Sequence, residues 1–283
     1  MSKFDNIKSS LDFGKFELTK NKIKDPELCA EILLSNIVGI SRQSLYAHFE
    51  DELSNQEQKL YEFYILRRSK HEPLQYILGY TYFRGLKINV GPGVLIPRPE
   101  TEQLVEVTLK NLNHNYNKIL DLCTGSGCIA CSFANEFSDL KIVATDDSEE
   151  ALKYAKINVD TYNFNEKIEL IQCNMSDEVY DEDFDLIISN PPYIPTNVYN
   201  GLDTEVLNFE PKLALEAGAD GASFLSEIIQ ISKDKLKPQG IVALEFYEEN
   251  LEFAKAEFEI AGFKNCKIYK DLAQKDRILI AKR

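Results

Sequence analysis

The spacing of apolar and polar residues changes rhythm twice along this chain. Up to about residue 75, apolar positions recur every three or four residues, which predicts helices. Pro26 opens the run Pro26-Glu27-Leu28-Cys29-Ala30-Glu31-Ile32-Leu33-Leu34, where a fixed φ suits a first helical turn. Ser41 is placed to cap a helix that carries Leu45, Tyr46 and Phe49. Ser54 and Glu57 have capping-box spacing ahead of Leu60, Tyr61, Phe63, Tyr64, Ile65 and Leu66. Pro73 is expected to end this region. Residues 76–95 then alternate and carry glycines, the pattern of a β-hairpin or extended linker.

From Ile96 the rhythm alternates between strands and helices. Strands are expected at Lys118–Leu122, Lys141–Thr145, Ile168–Cys173, Asp185–Ser189 and Ile241–Phe246, with a final pair near Cys266–Tyr269 and Arg277–Ala281. Alternation of this kind predicts an α/β fold with a doubly wound, mostly parallel sheet and an antiparallel element at its end. The expected division is a helical bundle over 1–75, a hairpin linker over 76–95 and an α/β domain over 96–283. The bundle reads either as a structural appendage or as a partner-docking module.

A chain of 283 residues exceeds one average domain. Its 44% hydrophobic and 28% charged content is that of an ordinary globular protein. No apolar run approaches the roughly 20 residues of a membrane span, and MSKFDNIKSS lacks an apolar signal core. Six sparse cysteines fit a reduced cytoplasmic compartment better than a disulfide scaffold. The net charge of −14 falls almost wholly on one side: −1 over residues 1–75 and −13 over the rest. That excess repels phosphate backbones, so direct nucleic-acid binding is not expected.

Candidate chemistry begins at Asn190-Pro191-Pro192-Tyr193, directly after the apolar strand Asp185–Ser189. Two prolines stop the strand and stiffen the corner at its C-terminal edge, where open α/β sheets bind ligands. The Asn190 amide oxygen and a proline carbonyl can together accept two hydrogen bonds from a planar –NH2 group. A polar turn that merely ends a strand fits the same four residues.

A second signal follows the strand Lys118–Leu122. Asp121-Leu122-Cys123-Thr124-Gly125-Ser126-Gly127 supplies two glycines for a tight turn and close backbone approach, and the next strand ends at Asp146. An acidic residue there commonly grips ribose hydroxyls, so a nucleoside-containing cofactor is expected. Spacing alone leaves a dinucleotide open, since Ala130 is tolerated in that fingerprint. The chain has no GxxxxGK[ST] phosphate loop. Asp121 at the loop start suits a cofactor with a cationic amino-acid end, such as S-adenosyl-L-methionine.

DLCTGSGCIA, ATDDS and SNPPYIP resemble the amino-type S-adenosylmethionine-dependent methyltransferases. EPLQYILG (72–79), VLIPRPETEQLVE (94–106), NFEP (208–211), EAGADG (216–221) and DLAQKDR (271–277) narrow the resemblance to the bacterial protein-(glutamine-N5) methyltransferases of the HemK/PrmC family. It runs from about residue 72 to the C-terminus, and SRQSLYAH (41–48) is consistent with that family's helical extra domain. Departures are Cys123 for a usual glycine, Asn174 for a usual aspartate, and Phe246-Tyr247 for a usual Ile-Gly.

The resemblance implies methyl transfer to the glutamine of the GGQ loop in peptide chain release factors. It implies that Asn190 and Pro191 accept the amide N–H bonds and that Pro192 shapes the corner. Tyr193 would stack on the amide and face the sulfonium. Arg98 and Glu100 would help shape the glutamine pocket; a stiff helix start is the plainer reading of that segment. Asp121, Cys123, Thr124, Gly125, Ser126, Gly127, Asp146, Asn174, Met175 and Asn190 would contact the cofactor. The rivals are a ribosomal-protein glutamine methyltransferase, an adenine-N6 DNA methyltransferase and a non-catalytic binding module. Cys123, Cys128 and Cys131 lack a second CxxC or a nearby histidine, so no metal site is expected. His48, His71 and His114 form no motif, and the acidic stretches at Glu149-Glu150, Asp177–Asp185 and Glu248-Glu249 read as solvated faces.

Overall fold

A computed structural model describes residues 5–112, 116–175, 177 and 183–283. His114 and residues 178–182 of the acidic Asp177–Asp185 stretch lie outside the described residues. The chain divides into two compact units, Met1–Gly79 with Asp203–Phe209, and Tyr80–Leu202 with Glu210–Arg283.

The first unit contains α1 (Ile7–Lys20), α2 (Pro26–Val38), α3 (Arg42–Leu45), α4 (Asn55–Arg68) and α5 (Leu74–Leu78). Pro26 is the first residue of α2, and Gly39 ends it in the left-handed region. The capping box of α4 forms: Ser54 N–H donates to Glu57 at 2.8 Å, and Glu57 N–H donates to the Ser54 hydroxyl. Ser41 also caps, but α3 stops at Leu45, so Tyr46 and Phe49 fall outside it. Pro73 opens α5 instead of closing the helical region, because its carbonyl accepts the Ile77 N–H while its φ of −54° is compatible with a helix start.

Leu18, Leu33, Leu34, Leu45, Tyr61 and Ile65 form the center of this unit's core. Burying each such side chain contributes about 1.5–3 kcal/mol. Glu31 is buried among them, and it is paired with Arg42 at 2.9 Å and with the Tyr46 hydroxyl, as a buried charge must be. Arg68 pairs with Glu205 at 2.8 Å, within the segment Asp203–Phe209 that belongs to the same unit.

The second unit opens on an antiparallel hairpin, β1 (Tyr80–Phe83) and β2 (Leu86–Asn89), shorter than the alternation over 76–95 suggests. There follow α6 (Pro99–Asn111), β3 (Lys118–Leu122), α7 (Cys128–Glu136), β4 (Lys141–Asp146), α8 (Glu149–Thr161), β5 (Ile168–Gln172), β6 (Phe184–Ser189) and α9 (Thr196–Tyr199). α10 (Thr204–Phe209) lies in the segment that joins the first unit. The chain ends with α11 (Leu225–Lys235), β7 (Leu236–Glu245), α12 (Leu251–Ile260), β8 (Lys264–Lys270) and β9 (Asp276–Lys282).

Seven strands make one sheet in the order β5-β4-β3-β6-β7-β9-β8. β5, β4, β3, β6 and β7 pair in parallel, and β9 runs antiparallel to both neighbours. β3 and β6 are largely buried on both faces, as strands covered by helices must be, and Asp121 and Ser189 are polar residues among their buried positions. β7 begins at Leu236, ahead of the expected Ile241, and takes in Pro238 within an irregularity of its pairing with β6 between Leu236 and Ile241. Strand order reverses between β3 and β6, so the loops after those two strands flank the crevice where such sheets bind ligands. Among the described residues no helix is long and apolar enough to cross a membrane.

Candidate active site

The turn after β3 is wound by three residues with positive φ: Cys123 at +58°, Gly125 at +58° and Gly127 at +74°. Cys123 therefore adopts a left-handed conformation that glycine takes up at lower cost. Thr124 anchors the turn at both ends. Its N–H donates to the Thr145 carbonyl at 2.9 Å, and its hydroxyl donates to Asp121 at 2.6 Å.

Asp146, at the end of β4, accepts the Gly125 N–H at 2.8 Å through Oδ2 and the Ser148 N–H at 2.9 Å through Oδ1. Each oxygen keeps a further lone pair. Burial raises the Asp146 carboxyl above its ordinary range.

A cavity opens over this turn. Of the residues expected at the site, Arg98, Cys123, Thr124, Gly125, Ser126, Asp146, Asn174, Met175, Asn190 and Pro192 line it. Gly127, Pro191, Glu100, Asp121 and Tyr193 do not. Asp121 lies fully buried beneath the turn and outside the cavity lining; its Oδ2 accepts the Thr124 hydroxyl and braces the loop, while its Oδ1 is buried with no hydrogen-bond partner among the described residues. Burial pushes its carboxyl up to about 7. Thr101, Asp147, Ser148, Leu213 and Phe224 also line the cavity, and the sequence reading missed them.

A nucleoside cofactor with a sulfonium fits this lining. A Cβ built on Gly125 meets no atom within 4 Å, so only glycine leaves that part of the cavity clear. The charged lining residues are Asp146, Asp147 and Arg98. Arg98 is already paired with the buried Glu210, so the remaining field favours a cation. Val94, Leu95, Ile129, Met175 and Phe224 supply apolar wall.

Glu210 also accepts the Ile96 N–H at 3.1 Å. That one buried carboxylate joins the segments LIPRPETE and NFEP, which were separate signals in the sequence.

The corner after β6 is held from three sides. The Ser189 hydroxyl donates to the Leu122 carbonyl at 2.8 Å, tying β6 to β3. Ile194 N–H donates to Leu215 O at 2.9 Å, and Ala217 N–H to Ile194 O at 3.0 Å. Gly221, with φ +75°, passes so close that a Cβ there would sit 2.5 Å from the Tyr193 carbonyl oxygen. The segment EAGADG thus clamps the back of the corner.

The Asn190 Nδ2 group donates to Thr101 Oγ1 at 2.9 Å, which leaves Oδ1 as its acceptor end at the cavity. The Thr101 hydroxyl donates in turn to Glu245 Oε2 at 2.8 Å. Tyr193 does not face the cavity as the resemblance implies. Its hydroxyl donates to Glu245 Oε1 at 2.8 Å, and its ring packs against Phe246 with centroids 6.2 Å apart. A phenol held partly out of water is satisfied by an acceptor, and Glu245 provides one. Burial raises the Glu245 carboxyl, while the Thr101 and Tyr193 hydroxyls and Arg277 work in the opposite direction.

The crevice, the glycine turn braced on Asp146 and the amide corner define an S-adenosyl-L-methionine-dependent methyltransferase. Residues 10–79 match the PrmC N-terminal domain, and residues 99–205 match the methyltransferase small domain. Release factor glutamine methyltransferase of Thermodesulfovibrio yellowstonii is 37% identical over 254 residues, covering 89% of this chain and 90% of that one. The Coxiella burnetii protein of the same name is 38% identical over 266 residues, covering 92% and 93%. A solved methyltransferase from Pyrococcus furiosus superposes with a TM-score of 0.53 at 25% identity, over 70% of this chain and 89% of that one. The chain belongs to the release factor glutamine methyltransferase family.

Proposed function

We propose that this enzyme transfers the methyl group of S-adenosyl-L-methionine to the side-chain amide N5 of the glutamine in the GGQ motif of peptide chain release factors. The observation that carries the reading is the Asn190 amide, tied through Nδ2 to Thr101 so that its oxygen is left to accept at the cavity. When bound, the cofactor supplies an electrophilic methyl group on a sulfonium. An amide nitrogen attacks poorly because its lone pair is delocalised into the carbonyl. Asn190 Oδ1, at the cavity, would accept one of its N–H bonds, and the Pro191 carbonyl, outside the lining of the cavity as it stands, would accept the other once the substrate is seated. The pair would turn the nitrogen towards the methyl and stabilise the positive charge that grows on it, until one of the two protons leaves and the N-methyl amide is neutral. Holding the amide in line lowers the barrier by several kcal/mol.

Gly125 and Asp146 carry the nucleoside end of the cofactor, with Cys123, Thr124, Ser126, Asn174 and Met175 around it. Asp121 and Gly127 shape the turn from behind, and Pro192 stiffens the amide corner. Tyr193 supports the site through Glu245, and Arg98 shapes the pocket through Glu210. Glu100, outside the cavity lining, has its effect through the charge it places near Glu245. Residues 1–75 serve as the partner-docking module, with 76–95 linking them to the catalytic residues 96–283. The net charge of −13 beyond residue 75 supports a protein substrate over a nucleic acid.

Mass spectrometry tests this reading. The enzyme and cofactor are incubated separately with release factor, ribosomal protein and DNA. A one-methyl increase on the GGQ peptide of the release factor is expected. Methylation confined to ribosomal protein or DNA refutes the reading.

A further inference from the structure

We infer that Thr101 and Glu245 are positioning residues that decide which end of the Asn190 side chain faces the substrate. The inference rests on the proposed glutamine-methylating function and adds the device that makes Asn190 usable. The two ends of a primary amide have nearly the same shape but opposite chemistry: the oxygen only accepts and the NH2 only donates. A glutamine amide that presents its own N–H bonds needs the oxygen. Packing alone discriminates poorly between two such seatings.

The hydrogen-bond chain behind Asn190 does discriminate. A carboxylate oxygen that already receives a hydroxyl proton acts there as an acceptor. Glu245 is completely buried, and its two oxygens receive the Thr101 hydroxyl at 2.8 Å and the Tyr193 hydroxyl at 2.8 Å. The single hydroxyl proton of Thr101 is therefore committed to Glu245. Towards Asn190, Thr101 can then offer only a lone pair, and Asn190 must answer with its NH2, at 2.9 Å. The bond directions run from Asn190 to Thr101 to Glu245, and the Asn190 oxygen is left for the cavity.

The Arg277 guanidinium, paired with Asp271 at 3.6 Å, lies 6.0 Å from the center of the Tyr193 ring and favours the charged form of Glu245 electrostatically. A neutral group with a donor in place of Glu245 allows every bond to reverse. In Glu245→Gln the new side-chain N–H can donate to Thr101, and Thr101 to Asn190 Oδ1. The Asn190 NH2 then confronts the NH2 of the substrate.

The test compares Glu245→Gln, Thr101→Val and Thr101→Ser in the full chain. It measures steady-state methylation of a release factor and calorimetric affinity for S-adenosyl-L-methionine, well below each variant's melting temperature. Glu245→Gln and Thr101→Val are expected to lower kcat by roughly 10²-fold, the cost of a misplaced reacting group. KM and cofactor affinity should stay within about three-fold, a difference under one kcal/mol. Thr101→Ser keeps the hydroxyl and should recover about ten-fold over Thr101→Val, one hydrogen bond's worth of kcat. If Glu245→Gln does not fold, the Val and Ser pair at position 101 decides alone. A Thr101→Val kcat near the wild-type value, or a loss shared equally by Val and Ser, overturns the inference. A wild-type enzyme that leaves the release factor unmethylated refutes the functional reading instead.

Discussion

Asn190 and Thr101 are 89 residues apart in sequence and 2.9 Å apart in space, joined by a bond from the Asn190 amide nitrogen to the Thr101 hydroxyl. The bond links the end of β6 to the first turn of α6. It also explains why LIPRPETE and the NPPY corner occur together in one chain. The first supplies the hydroxyl that directs the amide of the second.

Asp146 holds the cofactor turn from outside it. Replacing it with alanine leaves the N–H groups of Gly125 and Ser148 without their partner, at about 1–3 kcal/mol for each one that stays buried. Cofactor affinity should fall by roughly 10–100-fold in Asp146→Ala, since 1.4 kcal/mol is one decade. Isothermal titration with S-adenosyl-L-methionine measures it. An unchanged affinity would show that the turn stands without the carboxylate.

Gly221→Ala should damage the corner although no catalytic atom changes. The added methyl would meet the Tyr193 carbonyl oxygen at 2.5 Å, and φ is +75°. Gly85 serves as a control, because its φ is +80° but nothing lies within 4 Å of its would-be Cβ. Gly85→Ala should cost about 1–2 kcal/mol for the left-handed conformation alone. Gly221→Ala should cost at least about 1 kcal/mol more from overpacking, and it should also lower kcat. Urea midpoints and methylation rates for both variants check this. Equal midpoints would mean that the clamp yields freely.

The parts legible in the sequence were those set by local rules. Strands β3, β4 and β6 are short apolar runs that end in a glycine turn, an aspartate and a double proline, and each signal is complete within about ten residues. The capping box at Ser54 and Glu57 is equally local. What was not legible depends on partners far away in the chain. Glu245 looks like the end of an ordinary strand until Thr101 and Tyr193 are brought to it. Tyr193 reads as a free aromatic face in NPPY, yet its hydroxyl is drawn to that carboxylate and its ring leaves the cavity. Asp121 suggests a ligand for a cation, but strand burial places it under the loop. Pro73 misled for a simpler reason: a proline ends one helix and starts another by the same geometry.

Asp121 should leave a signature in the pH dependence of stability. Its carboxyl rises from 3.8 to about 7 through burial. The sign follows directly: the folded state holds the proton more tightly, so this group's contribution is fully present below about pH 4. It is lost as pH rises through 7, by at most roughly 4 kcal/mol. Asp121→Asn keeps an acceptor for the Thr124 hydroxyl and carries no such titration. Between pH 5 and 8 the wild type should therefore lose stability relative to Asp121→Asn, as followed by urea denaturation. A constant difference across that range would contradict an elevated Asp121.

The most direct test of the amide corner is the single-turnover rate of methyl transfer to release factor by Asn190→Ala, measured at saturating cofactor and alongside calorimetric cofactor affinity. Removing the oxygen that holds the substrate amide should slow transfer by about 10²–10³-fold, the usual effect of deleting one hydrogen-bonding group aimed at the developing charge. Cofactor affinity should change by less than about three-fold, which is under one kcal/mol. Transfer by Asn190→Ala at close to the wild-type rate would contradict the assignment of this corner as the site that holds the glutamine.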